Sequence, residues 1–161
     1  EGVDLVVIAA GSFKQVRLDD DVVQAGETLD QLLAVNLRGA WNVGFVAGQH
    51  LKRQGRGRIV NVSSHAADRV LPSDYAYRPS KAAISAFYES LYYDLKEFGV
   101  SVTDIKPATV NTDVMAGILT PEQQEASVQP DVIADAVLWT AALPPRHHMP
   151  SVLLDGDTQF D

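Results

Sequence analysis

The sequence predicts an α/β fold with a parallel β-sheet, and two observations support this prediction. Four short apolar segments of strand length are separated by longer segments with the apolar spacing of helices, so strand and helix alternate along the chain. The first strand segment, LVVIAA, has no polar alternation, which is typical of a parallel strand covered on both faces. With 161 residues, 46% of them hydrophobic and 21% charged, residues 1–161 have the size and composition of a single domain.

Each predicted element follows from a local pattern. Short apolar runs predict four strands, at Leu5–Ala10, Arg58–Ser63, Val100–Lys106 and Ser151–Asp155. A first helix is predicted from Leu29 to Gln54, on an apolar stripe formed by Leu32, Leu33, Ala40, Val43, Ala47 and Leu51. A second begins near Pro79, since proline suits a first helical turn, and stops at Gly99. The third is Pro130–Leu143, and right-handed crossovers connect the strands.

Composition and local patterns argue against several kinds of function. The chain has no cysteine, which rules out disulfides, thiol catalysis and a thiolate metal site. The net charge of -8 argues against nucleic-acid binding. No apolar run is long enough to span a bilayer and no signal-peptide pattern is present, so we expect a cytoplasmic protein without a membrane partner. His147 and His148 are predicted to form a surface turn, because two histidines without a carboxylate rarely bind metal.

Small and hydroxylic residues lie at the carboxyl ends of three predicted strands. They are Ala10-Gly11-Ser12, Ser63-Ser64 and Pro107-Ala108-Thr109. Each group alone would be ordinary turn chemistry. Open α/β sheets bind ligands at this edge, so the alignment of the three groups predicts a ligand site there.

Two Tyr-Lys pairs with the same four-residue spacing compete for a chemical role. Such a pair on a helix places a phenol beside an ammonium, and most of these pairs are solvated surface pairs. Tyr77 and Lys81 lie at the start of the second predicted helix, at the end nearest Ser64. Tyr92 and Lys96 lie about 15 residues later, roughly 22 Å down the helix. We predict that the first pair does the chemistry and that the second is a surface pair.

Asn36 lies on the predicted apolar stripe of the first helix. A buried amide is costly unless it is hydrogen-bonded. Two interpretations stay open: a satisfied hydrogen bond between helices, or a polar group or water site held beside an active site.

Five motifs, in order, resemble the short-chain dehydrogenase/reductase family. IAAG stands where that family has Asn-Asn-Ala-Gly, NLRG where it carries a helix asparagine, and PATVNT where it has Pro-Gly-x-x-x-Thr. RIVNVSS is followed by YRPSK, with Tyr77 thirteen residues after Ser64. The resemblance runs from the family's fourth strand to its seventh and implies a Rossmann-like, doubly wound parallel sheet.

The resemblance implies an NAD(P)-dependent oxidoreductase that moves a hydride between nicotinamide and a carbonyl or secondary alcohol. Tyr77 would be the general acid/base, and Lys81 would bind the nicotinamide ribose and lower the pKa of the phenol. Ser64 would hydrogen-bond the substrate oxygen, and Asn36 would hold the water of a proton relay. A cation about 4 Å from a phenol is worth about 4 kcal/mol at an effective dielectric constant near 20, so we expect a Tyr77 pKa near 7 to be reachable.

The resemblance also implies a cofactor site, for NAD or NADP without preference. Ala10 and Gly11 would pass close to the adenosine side. The carboxamide and the neighbouring phosphate would be held by Pro107, the Val110 backbone and the Thr112 side chain. The ribose would be contacted by Tyr77 and Lys81.

Further expectations concern the substrate and a second subunit. Residues 113–129 stand where the family has a mobile substrate lid, whose apolar side chains could line a pocket or anchor the lid; these are Met115, Ile118 and Leu119. The two long helices would form a homodimer or homotetramer. Four aromatic residues could serve that contact or belong to the core: Trp41, Phe45, Tyr88 and Tyr92.

The sequence departs from the family in three places. Ile8-Ala9 replaces Asn-Asn, and Ala108 replaces a glycine. The Gly-rich turn that receives the dinucleotide pyrophosphate does not occur in the sequence, and the family's part before its fourth strand amounts to about 80 residues. We therefore expect a partial domain, the catalytic half of a longer protein, which alone binds dinucleotide poorly and turns over nothing. The alternative is a catalytically inactive remnant that acts as an oligomerisation or interaction module.

Overall fold

The computed structural model describes residues 2–70, 72, 74–144 and 146–157. Four strands form one parallel sheet in the order β1-β2-β3-β4. They are β1, Leu5–Ile8; β2, Gly57–Val62; β3, Val100–Pro107; and β4, Ser151–Leu154. Helices connect the parallel strands, so the predicted α/β class is confirmed.

β1 is shorter and more exposed than the sequence predicts. It ends at Ile8, which pairs with Asn61 of β2, and not at Ala10. Val6 and Ile8 pack into the core, whereas Leu5 and Val7 are 37% and 44% exposed. Coverage on both faces is therefore wrong for this strand, because the helix that follows β1 packs on the Val6 and Ile8 face only.

The first long helix begins earlier than predicted and contains an irregular segment. It comprises α1, Val22–Leu32; a π-helical segment, Leu33–Gly39; and α2, Ala40–Gln54. The start is at Val22 because the Asp21 side chain accepts hydrogen bonds from the backbone N–H groups of residues 23 and 24. The end is at Gly55, whose φ of 73° closes the last turn in the left-handed conformation.

The structure corrects one residue of the predicted apolar stripe on this helix. Ala40 and Leu51 are buried as predicted. Val43, predicted on the apolar stripe, is 48% exposed. Gly44 and Gly48 are buried in its place, and a Cβ at Gly44 would lie 2.5 Å from the Tyr88 Oη. The helices carrying these residues are thus in close contact, and the prediction for Val43 is wrong.

The remaining helices lie near their predicted positions. α3 spans Tyr77–Leu95, continues as a 3-10 turn, Lys96–Phe98, and ends at Gly99 as predicted. A short helix that the sequence analysis did not predict, α4, covers Pro121–Ala126, and α5 covers Pro130–Ala142. None of the helices in the described part of the chain is both long and apolar enough to cross a membrane.

The main core lies between the sheet and the α2–α3 pair. Its fully buried members come from β1, β2, β3 and both helices; they are Ile8, Ala40, Leu51, Ile59, Ile84, Tyr88, Leu95, Val100 and Val102. Tyr88, one of the aromatic residues considered for a subunit contact, belongs to this core and donates a hydrogen bond to the Ala40 carbonyl at 2.9 Å. Because α3 packs here with its first turn towards the carboxyl edge of the sheet, the core positions the candidate site.

Candidate active site

The carboxyl edge of the sheet brings together all four residues predicted to be catalytic. The Ser64 hydroxyl donates a hydrogen bond to the Tyr77 phenol oxygen. The Lys81 Nζ lies 5.7 Å from the centre of the Tyr77 ring. A Cβ at Gly11 would lie 3.2 Å from that Nζ and 3.6 Å from the Asn36 Oδ1, so the loop after β1 closes the site from the other side. These residues share one site, and their chemical roles stay predictions.

Ser64 and Tyr77 are held by local backbone structure. Ser64 has extended backbone and caps a 3-10 turn, His65–Ala67, because its Oγ accepts a hydrogen bond from the Ala66 N–H at 3.1 Å. The Tyr77 ring packs edge-on against Phe13, with 5.0 Å between ring centres. The phenol is half-buried and points at the Ser64 hydroxyl, an arrangement in which both hydroxyls can contact one substrate oxygen.

Asn36 lies in the π-helical segment, and its amide is fully engaged by protein groups. Its Oδ1 accepts from the Ser12 N–H at 2.7 Å, and its Nδ2 donates to the Ser12 carbonyl at 2.9 Å. The same Nδ2 donates to the Ser80 Oγ at 3.0 Å, and Ser80 in turn donates to the Tyr77 carbonyl at 2.6 Å. The satisfied hydrogen bond between helices is observed at Ser80, and the amide also fastens the β1 loop to the first turn of α3. A role of Asn36 in holding the water of a proton relay stays a prediction.

Ser80 contacts the site residues Asn36 and Tyr77, and the sequence analysis assigned it no role. Ser80 lies inside YRPSK, between the predicted acid and the predicted ammonium, and it is completely buried. Its position between Tyr77 and Lys81 at the start of the same helix is the signal that could have identified it.

The electrostatics of Tyr77 differ from the expectation. Burial raises the pKa of the Tyr77 phenol; the Ser64 hydrogen bond opposes this rise and the Asp74 carboxylate adds to it. This direction is opposite to the lowering that the sequence analysis expected from Lys81. The physical reason is that burial disfavours the phenolate.

Lys81 is itself perturbed. It is 6% exposed, and burial lowers its pKa from 10.5 to about 8, an effect that the Asp104 carboxylate opposes. At neutral pH Lys81 is still an ammonium. Keeping the buried side chain charged costs about 3 kcal/mol, since each unit of pKa shift corresponds to about 1.4 kcal/mol.

Asp104 was missed by the sequence analysis. It is 3% exposed in the middle of β3 and accepts hydrogen bonds from the Asn61 Nδ2 at 2.7 Å and the Ser63 Oγ at 2.8 Å. The Ser85 hydroxyl of α3 also donates to it. Burial raises the pKa of this carboxyl, and the three hydrogen bonds oppose the rise. A carboxylate in the middle of VSVTDIK, a segment predicted to be a buried strand, is the signal that could have identified it.

The residues expected to hold a cofactor lie at the same edge, in different settings. Ala10 and Gly11 are exposed in the loop after β1. Pro107 ends β3, and Val110 forms a bridge with Val128. Thr112 is exposed immediately before a 3-10 turn, Asp113–Met115.

Gly11 lies beside the Lys81 Nζ, so its surroundings fit the nicotinamide ribose and not the adenosine side to which the resemblance assigned it. A side chain at this position would occupy the space beside the Lys81 Nζ. An ammonium next to open backbone is the donor set that a pair of ribose hydroxyls requires. The residues present therefore fit this part of a dinucleotide.

The segment that corresponds to the family's lid is anchored at its base. Val128 exchanges backbone hydrogen bonds with Thr109 and Asn111, both of 3.0 Å or less. Leu119 is buried and Ile118 is 57% exposed. Leu119 thus anchors the segment, whereas Ile118 faces outward.

The second Tyr-Lys pair lies at the other end of α3. The Lys96 Nζ is 5.6 Å from the Tyr92 ring centre and 4.7 Å from that of Tyr93, which is 59% exposed. Tyr92 also packs edge-on against His148. Over the residues that the structure describes, no group of three or more His, Cys, Asp or Glu side chains could hold a metal ion.

Comparison with known proteins gives concordant results. The model of the short chain dehydrogenase family matches residues 1–123. An uncharacterized oxidoreductase of Staphylococcus epidermidis is 32% identical over 142 residues, which make up 88% of this chain and 60% of that protein. One of Staphylococcus aureus is 29% identical over 146 residues, 91% of this chain and 61% of that protein. The chain thus spans about 60% of the length of these relatives.

Solved structures show the same fold. A beta-ketoacyl-ACP reductase from Bacteroides thetaiotaomicron is similar with a TM-score of 0.76 and 25% identity, covering 96% of this chain and 62% of that one. A gluconate 5-dehydrogenase from Burkholderia cenocepacia, in complex with NADP and tartrate, gives a TM-score of 0.79 at 21% identity, covering 96% and 64%.

Proposed function

The chain belongs to the short-chain dehydrogenase family, and from this premise we propose that it carries the proton-transfer site of an NAD(P)-dependent oxidoreductase. Its substrates are a carbonyl compound and the corresponding secondary alcohol. The observation that carries the proposal is the convergence of the Ser64 and Tyr77 hydroxyls beside the buried Lys81 ammonium.

Tyr77 is the proton donor in carbonyl reduction. Its hydroxyl gives a proton to the substrate oxygen while Ser64 donates a hydrogen bond to the same oxygen. When bound, the nicotinamide supplies the hydride to the carbonyl carbon, or accepts it from the alcohol. The phenolate left on Tyr77 is stabilised by the Lys81 ammonium, whose Nζ is 5.7 Å from the ring centre.

The raised pKa of Tyr77 leaves the phenol protonated at neutral pH, which is the state from which carbonyl reduction starts. A phenol that keeps its proton at neutral pH is ready to act as an acid, whereas alcohol oxidation needs the phenolate. We therefore expect oxidation to require a more alkaline pH than reduction.

Lys81, Gly11 and the loop after β3 hold the nicotinamide half of the cofactor in this proposal. Support comes from the space beside the Lys81 Nζ at Gly11 and from the NADP complex of the structurally similar gluconate 5-dehydrogenase. The sequence contains no Gly-rich turn for the pyrophosphate, so binding by the 161-residue chain alone is expected to be weak.

The test compares this chain with an extended one. The 161-residue chain, and a chain extended at its N-terminus by the dinucleotide-binding residues of a family member, are titrated with NADH and NADPH by fluorescence. Both are then assayed with a panel of small ketones, keto acids and keto esters. Reduction by the extended chain that is lost in Tyr77→Phe supports the proposal; binding without turnover of any carbonyl in the panel contradicts it.

A second candidate function is that of an interaction module without catalysis. Apolar side chains of α2 lie exposed next to one another: Val43, Phe45 and Val46. Phe45 stacks on Trp41, with 4.8 Å between ring centres. A homodimer or homotetramer through α2 and α3 would cover this surface.

The oligomeric state tests this second function. Light scattering on the wild type and on Phe45→Glu should show a larger particle that dissociates in the variant. His50→Glu, a change at an exposed position of the same helix, is the control. A monomeric wild type contradicts the interaction module.

A further inference from the structure

The segment that follows β2 begins with Ser64 and folds into a tight turn. The Ser64 carbonyl accepts a hydrogen bond from the Ala67 N–H at 3.0 Å, and the turn continues as the 3-10 segment His65–Ala67. Asp68 closes it, because its N–H donates to the His65 carbonyl at 3.0 Å. Residues 64–68, called the Ser64 turn below, therefore form one hydrogen-bonded unit with Ser64 at its start and the Asp68 carboxylate at its end.

An ion pair joins the end of the Ser64 turn to the sheet. The Lys106 Nζ on β3 donates to both carboxylate oxygens of Asp68, at 3.0 and 2.8 Å. The Lys106 side chain is 13% exposed. Water screens a partly buried pair less than a surface pair, and a contact to both oxygens adds a geometric constraint. The ion pair thus fastens the Ser64 turn to the last residues of β3.

The helix that carries Tyr77 holds the same turn from another side. The Arg78 Nε donates to the Arg69 carbonyl at 2.9 Å, and Arg69 follows Asp68 directly in the chain. Arg78 is the neighbour of Tyr77 in the first turn of α3. The Ser64 turn is therefore tied to β3 through Asp68 and to α3 through Arg69.

We propose that Asp68 is a positioning residue for Ser64. Through its ion pair with Lys106, it holds the Ser64 hydroxyl within hydrogen-bond distance of the Tyr77 phenol. The hydroxyl makes two contacts at once, since its oxygen accepts from the Ala66 N–H at 3.1 Å and its proton is donated to the Tyr77 oxygen. Without the ion pair the turn loses its tie to the sheet, and the hydrogen bond between the two hydroxyls weakens.

Asp68 is a better residue to change than its partner. The Lys106 charge also acts on the buried Asp104 carboxylate, two residues earlier on the same strand, so a change of the lysine would disturb both carboxylates. The Asp68 side chain is 57% exposed. Its truncation creates no cavity, and Asp68→Ala is therefore expected to fold.

The test measures the titration of Tyr77 in the 161-residue chain and needs neither cofactor nor substrate. The Ser64 hydrogen bond lowers the pKa of the phenol, so its loss in Ser64→Ala should raise the titration midpoint by about 0.5 to 1 unit. Asp68→Ala should raise the midpoint by about 0.3 unit or more, up to the same limit. Removal of a carboxylate would by direct electrostatics lower the pKa of a phenol. A rise in Asp68→Ala therefore reports the position of Ser64.

Tyrosinate absorbance after rapid jumps to alkaline pH, recorded before the chain unfolds, gives the midpoint, and the difference from Tyr77→Phe isolates this phenol. Asp94→Ala is the matched control and should change nothing, because it breaks an exposed ion pair with Lys52 near the other end of α3. In the Ser64→Ala background, Asp68→Ala should no longer raise the midpoint. An unchanged or lowered midpoint in Asp68→Ala, or a rise that persists without the Ser64 hydroxyl, would overturn the proposal.

The catalytic consequence rests on the proposed function, and the two can fail separately. In the extended chain, Asp68→Ala should slow carbonyl reduction by about 3- to 10-fold and should add no further loss to Ser64→Ala. Additive losses in the double variant would contradict positioning through Ser64. If the Tyr77 midpoint responds as expected and the extended wild type reduces no carbonyl, the positioning stands and the proposed function is wrong.

Discussion

The two ends of α3 carry the same sequence spacing in opposite settings. At the start of the helix, Tyr77 meets the Ser64 hydroxyl and the Phe13 ring, and Lys81 is buried. Near its end, the Lys96 ammonium lies over the exposed Tyr93 ring and beside Tyr92. A phenol and an ammonium four residues apart are common to both pairs.

Position relative to the sheet makes the difference. The first turn of α3 lies at the carboxyl edge, where the strand β2 delivers Ser64 and the loop after β1 delivers Gly11. Burial there gives each charge a large energetic effect, because little water screens it. At the exposed end of the helix, water screens the charges and a cation near an aromatic ring contributes a fraction of a kcal/mol to about 1 kcal/mol.

The largest difference between the two ends should appear in turnover. In the extended chain, Tyr77→Phe should lower carbonyl reduction by about 10²- to 10⁴-fold, the usual contribution of a general acid. Tyr92→Phe should leave the rate unchanged, since its hydroxyl is remote from Ser64. Equal losses in the two variants would mean that the comparison between the helix ends is wrong.

The second largest difference should be that between Lys81 and Lys96 in their effect on the rate. An ammonium about 5 Å from a phenolate stabilises it by about 3 kcal/mol at an effective dielectric constant near 20, so Lys81→Met should cost about 100-fold in rate. Lys81→Arg keeps the charge and should lose less. Lys96→Met is the matched control, and steady-state rates across a pH series make the measurement. A Lys81→Met enzyme as fast as Lys96→Met would exclude an electrostatic role.

Ser80 and Ser90 of α3 extend the comparison of a buried and an exposed position to the free energy of unfolding. Ser80→Ala removes the buried hydroxyl between the Asn36 amide and the Tyr77 carbonyl, and should lower the free energy of unfolding by about 1 to 3 kcal/mol. Ser90 is exposed and donates to the Ala86 carbonyl, so Ser90→Ala should change it by less than about 0.5 kcal/mol. Urea unfolding of the two variants gives both values; an effect of Ser90→Ala as large as that of Ser80→Ala would show that burial is not what separates them.

The last expected effect is a pH dependence of stability, which is small for each pH unit. The folded-state pKa of Lys81 is about 8, below its ordinary value of 10.5. Between these two values the unfolded chain binds more protons than the folded one, so the free energy of unfolding should rise with pH in this window, by at most about 1.4 kcal/mol per pH unit. The raised pKa values of Tyr77 and Tyr88 act in the opposite sense above about pH 10, where the unfolded tyrosines lose their protons first. Lys81→Met should abolish the rise, and a variant that retains it would assign the rise to another group.

Much of the site could be predicted because its residues follow strand ends. The alternation of strand and helix places Gly11 and Ser64 after strands, and Tyr77 and Lys81 at the start of a helix. A parallel sheet brings these positions to one edge. The hydrogen-bonded state of the Asn36 amide was one of the two interpretations that the sequence allowed, because a buried amide must find partners.

Other features had no sequence signal of their own. The π-helical segment Leu33–Gly39 has an ordinary helical composition, and only packing against α3 shows that Gly44 is buried and that Val43 is not. The pKa of Tyr77 depends on how deeply the phenol is buried and how far the ammonium lies, and four-residue spacing determines neither of these.

The sequence by itself determined the α/β class, the order of the elements and the placement of Tyr77, but not Tyr92, at the carboxyl edge of the sheet, because apolar periodicity and strand ends are local properties of the chain. Tertiary structure decided that Gly44 and not Val43 is buried, the direction of the Tyr77 pKa shift and the burial of Asp104. These depend on burial and on distances between residues far apart in sequence. An electrostatic energy in a protein interior changes with every ångström of separation and with the water excluded around it, and only the packed chain sets both.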